Sequence, residues 1–328
     1  MKKLGLIGYF GWGNFGDELF LEVHKQYLSK DYEIKVVNDL LQEPYFSRPI
    51  KELVNDYDAF LIGGGDLINP VRVSSLYWQM DFLNKPVFVY GIGVPNVKWS
   101  RKHVLEHYKK FFMHQNCKLV VARDVESYNW IKENFELEDK LKWFPDPVCS
   151  YNRPKVLIAK EKILGIVMRN HRSLEKDFRN IRKLINDAKK NDYKIKHIVL
   201  ANKDLGKGDY EIAKEISEEG EEIFYSESLE EMCQEISKCS LLASIKFHGM
   251  VVASMYGIPT IAMSVTPKNR NFLKMLEREE MLVSYTDTNL FKRLSYYPAN
   301  IHTIVRGNLF RRSKQGYLLL KEMLQEHV

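Results

Sequence analysis

Leu4-Gly5-Leu6-Ile7-Gly8-Tyr9-Phe10-Gly11-Trp12-Gly13-Asn14-Phe15-Gly16-Asp17-Glu18 is a short apolar run that stops at a glycine-rich turn. From Asp17 to residue 28 the pattern changes, with Leu19, Phe20, Val23, Tyr27 and Leu28 near helical spacing. Strand, glycine turn and amphipathic helix in that order predict an α/β unit. Glycine permits positive φ and close approach to the backbone, and the helix that follows offers unpaired N–H groups. Asp17 has two readings. It is the N-cap of that helix, or it is a carboxylate facing a ligand, able to take a proton from a hydroxyl. Residues 11–16 match the spacing G-x-G-x-x-G. However, bulky Trp12 separates the first two glycines, and Asp39 is a poor match for the acidic residue such a site needs after its second strand. A nicotinamide cofactor is therefore not favoured.

The same alternation continues outward. Strands are predicted at 4–9, 32–37, 59–62, 87–90 and 118–121, with a second helix at 102–113. Two more strands end in glycines: Gly63-Gly64-Gly65-Asp66 and Gly91-Ile92-Gly93. Parallel strands would bring all three turns to one sheet edge, where open α/β sheets bind ligands. After 118–121 come Arg123, whose planar fork suits a carboxylate or phosphate, and Asp124, which reads as an N-cap with Ser127 in the first turn. Arg123 in a surface salt bridge with Asp124 or Glu126 is the plainer alternative.

Two prolines in Trp143-Phe144-Pro145-Asp146-Pro147 interrupt regular hydrogen bonding and mark a linker. Beyond it strands at 163–168, 195–200, 222–225, 240–245 and 260–263 alternate with helices at 174–190, 211–219, 229–238 and 249–256, before a final helix at 309–326. We divide the chain into domains 1–150 and 151–328, the final helix belonging to the second. In that second half His248 lies at a helix start after one strand and Lys268 follows the next. Together they suit anion binding with proton transfer; a helix-capping histidine is the plainer reading of His248. Lys246 reaches the same anion or is solvated. Arg169, His171 and Arg172 add positive charge at the same predicted edge.

Composition bounds the rest. At about 100–200 residues per domain, 328 residues suggest two domains. The 45% hydrophobic and 28% charged fractions exclude disordered, collagenous and coiled-coil classes. A net charge of +6 with dispersed basic residues gives no reason to expect a nucleic-acid partner. Cys117, Cys149, Cys233 and Cys239 form neither a disulfide framework nor a C-x-x-C pair. The apolar run after Met1-Lys2-Lys3 is too short for a signal peptide or membrane span, so we expect a cytoplasmic chain.

Taken in order, these motifs resemble the polysaccharide pyruvyl transferase family. The resemblance rests on Gly11–Glu18, Gly63-Gly64-Gly65, Gly91-Ile92-Gly93, Arg123-Asp124 with Ser127, Asp146-Pro147, residues 166–169, Lys246-Phe247-His248-Gly249 and Gly257-Ile258-Pro259. It implies two Rossmann-like domains facing each other across a cleft, similar to GT-B glycosyltransferases. The first domain would take the acceptor and the second the donor. It further implies transfer of a pyruvyl group from phosphoenolpyruvate, as co-substrate, to a sugar hydroxyl pair of a cell-surface polysaccharide or its lipid-linked precursor, with no metal and no other cofactor. Arg123, Lys268, His248 and Gly249 would hold the donor. Asn14, Asp17, Gly64, Gly65 and Asp66 would face the acceptor, with His248 as acid and Asp17 as base. A lipid-linked acceptor would bring the enzyme to the inner membrane face. Peripheral membrane association and a homo-oligomer are both compatible with such a chain. The family usually has arginine, a small residue or leucine, histidine and alanine where this chain has Lys246–Gly249, and serine where it has Asp66. Lysine keeps the charge and loses the bidentate fork. The alternative function is a GT-B-like glycosyltransferase with a nucleotide-sugar donor; a non-catalytic binding protein is a third.

Overall fold

The computed structural model describes residues 1–95, 99–155, 161–171, 175–295 and 300–328. The chain forms two compact units. The first comprises Met1–Phe10, Phe20–Tyr151 and Arg311–Val328; the second comprises Gly11–Leu19 and Asn152–Phe310.

The first unit is built on β1 (Lys2–Ile7), β2 (Tyr32–Val36), β3 (Ala59–Gly65), β4 (Val87–Ile92), β5 (Cys117–Ala122) and β6 (Leu141–Trp143). All pair in parallel, in the order β2-β1-β3-β4-β5-β6. Between them run α1 (Phe15–Leu28), α2 (Ile50–Leu53), α3 (Lys102–Met113) and α4 (Val125–Asn134). Leu61, Ile62, Val87, Phe88 and Val89 are wholly buried, as expected of strands covered on both faces. Asp124 caps α4, accepting from the Ser127 N–H at 2.8 Å, as its spacing predicted.

The second unit holds β7 (Ile163–Val167), β8 (Lys194–Ile198), β9 (Glu222–Phe224), β10 (Leu241–Ser244) and β11 (Thr260–Ala262), all parallel, in the order β11-β10-β7-β8-β9. Its helices are α5 (Arg179–Lys190), α6 (Lys203–Ile216), α7 (Leu229–Ser237), α8 (Phe247–Tyr256) and α9 (Pro267–Met275), followed by α10 (Thr303–His327). Strand order reverses between β1 and β3 in the first sheet and between β7 and β10 in the second. These are the topological switch points at which such sheets take ligands.

Three features differ from expectation. The helix predicted at 211–219 begins eight residues earlier, at Lys203. Gly206 and Gly208 weaken its helical signature, yet a Cβ at Gly206 would lie 2.7 Å from the Ala201 carbonyl, so glycine lets the helix approach the chain there. The helix predicted from residue 174 starts at Arg179; residue 174 lies outside the described residues. Finally, residues 11–19 belong to the second unit, and all of α10 from Arg311 onward belongs to the first, contrary to the expected halves.

That last helix completes the core of the first unit. Tyr317 is fully buried, stacks on Tyr27 with ring centroids 4.3 Å apart, and shares a 3.0 Å hydrogen bond with His24 Nδ1. His24 is wholly buried beside Phe10, Phe20 and Tyr90, and among the described residues its Nε2 has no hydrogen-bond partner. Burial pushes its pKa down to about 3. The folded chain therefore keeps this imidazole neutral while the unfolded chain protonates it from about pH 6.5 downward. Between those values the unfolded state binds the extra proton, so stability is full above the unfolded pKa and falls as pH drops. Urea unfolding should show the native protein losing about 2 kcal/mol more than His24→Leu between pH 7.5 and pH 5. Equal losses would mean that this imidazole titrates normally.

Candidate active site

In the second unit, three helix starts carry the residues singled out in the sequence. Phe15 begins α1, so Asp17 sits in its first turn beside Glu18. His248 is the second residue of α8, and Lys268 is the second residue of α9, whose first position is Pro267. Neither α8 nor α9 has an acidic residue in its first turn, so their N-terminal partial charges stay unbalanced within the helix.

The glycine-rich loop is occupied by the chain itself. A Cβ on Gly16 would collide with the His248 ring at Nδ1. Gly13, at φ 91°, leaves room for Asn202, whose N–H donates to the Gly13 carbonyl at 2.9 Å. Asn14 pairs with Ala201 in an antiparallel bridge, and Lys203 Nζ donates to the Gly11 carbonyl. The Gly13 N–H donates to Glu18 Oε1 at 2.9 Å. Thus Asp17 is not the cap of α1. Its carboxylate instead accepts from Asn14 Nδ2, while the charges of His248 and Lys268 act on it. Burial raises its pKa above the ordinary carboxylate value, against the lowering effects of Asn14, His248 and Lys268. Asn14, Asp17, His248 and Lys268 are therefore brought together within one unit, whereas Asn14 and Asp17 were expected in the other.

Phe247 neighbours both His248 and Lys268. Its ring meets the His248 ring edge-on, with centroids 4.9 Å apart, and the Lys268 ammonium lies 5.9 Å from its centroid. Gly249, expected at the donor, is buried: a Cβ there would lie 2.8 Å from both Leu200 and Ser244 Oγ, so packing accounts for the glycine. Lys246 is neither solvated nor open to an anion. Its ammonium lies 2.5 Å from Asp209 Oδ2 and donates to the Leu200 carbonyl at 2.7 Å. Burial lowers its pKa, with Asp209 opposing the shift. Arg169 and His171 are exposed, and Arg172 lies outside the described residues. Asp209 and Ser244 were missed in the sequence; the hydroxyl of Ser244 holds the turn before α8, accepting from the Lys246 N–H at 3.1 Å and donating to its carbonyl at 2.8 Å.

The first unit contains the other expected residues. Gly64 and Gly65 have φ of 92° and 109°, a bend that side chains resist. Asp66, expected to face the acceptor, pairs with Arg123. Arg123, expected to hold the donor, is only 2% exposed and also reaches Asp146 Oδ2 at 3.4 Å. A Cβ at Gly93 would meet both Asp66 and Arg123. The guanidinium thus ties together the strand ends of β3 and β5 and the segment after β6, rather than lying in a surface salt bridge with Asp124 or Glu126. Asp39 likewise serves its own loop, accepting from the Ser47 N–H at 2.8 Å. The four cysteines are buried, and none of them forms a disulfide among the described residues. Among the described residues no group of three or more His, Cys, Asp or Glu side chains is placed to hold a metal, and no helix is long and apolar enough to cross a membrane.

The family model for polysaccharide pyruvyl transferase matches residues 14–267, a span that runs from Asn14 through His248 to Pro267. The chain belongs to this family. No curated protein matches it. Among solved structures, it is similar to MnaA of S. aureus determined with UDP, at TM-score 0.65 and 10% identity, over 99% of this chain and 97% of that one. It is also similar to the UDP-GlcNAc 2-epimerase of Neisseria meningitidis bound to UDP-GlcNAc, at TM-score 0.60 and 13% identity, over 99% and 100% of the two chains. Alr3699/HepE of Anabaena, in complex with UDP and glucose, gives TM-score 0.55 at 12% identity over 99% and 100%. These likenesses establish the fold, a GT-B-like α/β architecture of two Rossmann-like domains.

Two variants probe this geometry. Gly16→Ala should displace the His248 ring, moving its imidazole NMR signal while the remaining histidine signals stay in place; an unmoved signal would contradict the close approach. Arg123→Met leaves two carboxylates facing each other across the vacated space and should cost about 3–5 kcal/mol in urea unfolding. A loss below about 1 kcal/mol, the range of exposed pairs, would contradict the buried cluster.

Proposed function

We propose that this pyruvyl transferase takes its pyruvyl group from phosphoenolpyruvate and closes it as a ketal on two hydroxyls of a cell-surface polysaccharide sugar or its lipid-linked precursor. The observation that carries the reading is the grouping of Asp17, His248 and Lys268, with the His248 ring seated directly over Gly16. An acid, a base and an anion-binding cation within one unit are what this transfer needs.

The donor methylene carbon gains one proton, for which His248 is the acid. The adjacent carbon, now electron-poor, is attacked by the first hydroxyl, whose proton Asp17 accepts. Phosphate leaves with the former enol oxygen and takes the proton held by Asp17 to become hydrogen phosphate, and the second hydroxyl adds to the same carbon as its proton returns to His248. Phosphoenolpyruvate and two hydroxyls thus become a ketal and hydrogen phosphate, with charge and protons balanced. Lys268, beside the unbalanced starts of α8 and α9, suits the phosphate. Arg123 takes no part in this scheme, since Asp66 and Asp146 already engage it. The UDP-bound neighbours support a second reading, a nucleotide-sugar donor.

The decisive experiment measures phosphate release from phosphoenolpyruvate over a panel of glycan acceptors, with mass detection of the pyruvylated product. His248→Ala should lower kcat by about 10²–10⁴-fold, the usual contribution of a general acid. Lys268→Ala should raise the phosphoenolpyruvate KM by about 10–100-fold, the loss of one charge-assisted hydrogen bond. Consumption of a UDP-sugar with no phosphate released from phosphoenolpyruvate would replace the first reading by the second.

A further inference from the structure

We infer, resting on the pyruvyl-transfer reading, that Lys246 and Asp209 form a positioning pair that sets His248 in register, and that Lys246 is not a ligand of the donor. Lys246 follows β10, and Asn170, whose N–H donates to Asp209, follows β7, the two strands that flank the switch point of this sheet. Lys246 directly precedes α8 and is fixed at both ends. Its main chain is held by the Ser244 hydroxyl, and its ammonium by Asp209 and the Leu200 carbonyl. Asp209 is itself 4% exposed and accepts from the Asn170 N–H at 2.7 Å through its other oxygen. One ion pair therefore joins the chain after β7, the chain after β8, helix α6 and the start of α8.

His248 follows two residues later, with no slack where its ring lies against Gly16. A small rotation of the α8 start would drive the imidazole into the backbone or away from Asp17. The ammonium donates to the Leu200 carbonyl, and its charge is paired with the Asp209 carboxylate. Freeing it for a phosphate would leave the Asp209 carboxylate buried without its counter-charge, a costly arrangement. The same logic explains how lysine can stand where the family usually has arginine: a single buried point charge suffices to hold one carboxylate and one carbonyl, and no planar fork is required.

The test uses the full chain and the variants Asp209→Asn, Lys246→Met and their combination. Phosphate release from phosphoenolpyruvate gives kcat and KM, and the His248 imidazole cross-peak, identified by its loss in His248→Asn, reports the ring's position. Both single variants should lose at least about tenfold in kcat with the phosphoenolpyruvate KM unchanged within about twofold, since a misplacement near 1 Å can cost 10²-fold. The double variant should be no worse than the poorer single one, and the cross-peak should move in all three. If the single variants do not fold, Lys246→Met with Asp209→Leu supplies an apolar pair for the cross-peak measurement. A tenfold rise in KM in Lys246→Met with kcat unchanged, or tighter phosphoenolpyruvate binding in Asp209→Asn, would make Lys246 a donor ligand and overturn the inference. Wild-type kcat with an unmoved cross-peak would overturn it equally. A native chain inert toward phosphoenolpyruvate defeats the assigned reaction, while the cross-peak still decides the role of the pair.

Discussion

The seating of the His248 imidazole against the backbone at Gly16 constrains everything around it. A ring can come that close only to a residue without Cβ. The second unit holds this contact from two sides. Backbone pairing fastens residues 11–14 to residues 201 and 202, and a buried ion pair fixes the residue that opens α8. Asp17, one position beyond Gly16, then shares its surroundings with an imidazole and an ammonium on other elements. Its pKa reflects the contest, with desolvation favouring the neutral acid and the neighbouring cations favouring the carboxylate.

The two units use buried charge alike. In the first, Arg123 is enclosed by Asp66 and Asp146 and ties strand ends together, so its positive charge is balanced inside the protein. In the second, Lys246 is balanced in the same manner by Asp209, so each unit holds a buried cation within its own scaffold.

Much of the fold was legible in the sequence, because buried parallel strands are short apolar runs and their turns end in glycine. Gly64 and Gly65 do adopt the positive φ that such a turn needs. Other features were hidden for definite reasons. Asp66 and Arg123 are 57 residues apart, and nothing in either local segment names the other as partner. Asp209 lies on a helix whose start two glycines disguise, so its carboxylate gave no reason to be matched with Lys246. Glycine itself misled in one respect: the close approach at residues 13 and 16 was anticipated, but the approaching groups are Asn202 and His248, not a ligand. The unit to which α10 belongs could not be read from its apolar face, which would suit either sheet.

The hydrogen bond between His24 and Tyr317 spans 293 positions of the chain. An interior begun at position 24 is thus completed only by position 317, and a chain cut before α10 would leave His24, Tyr27 and Tyr90 without the ring that packs on them.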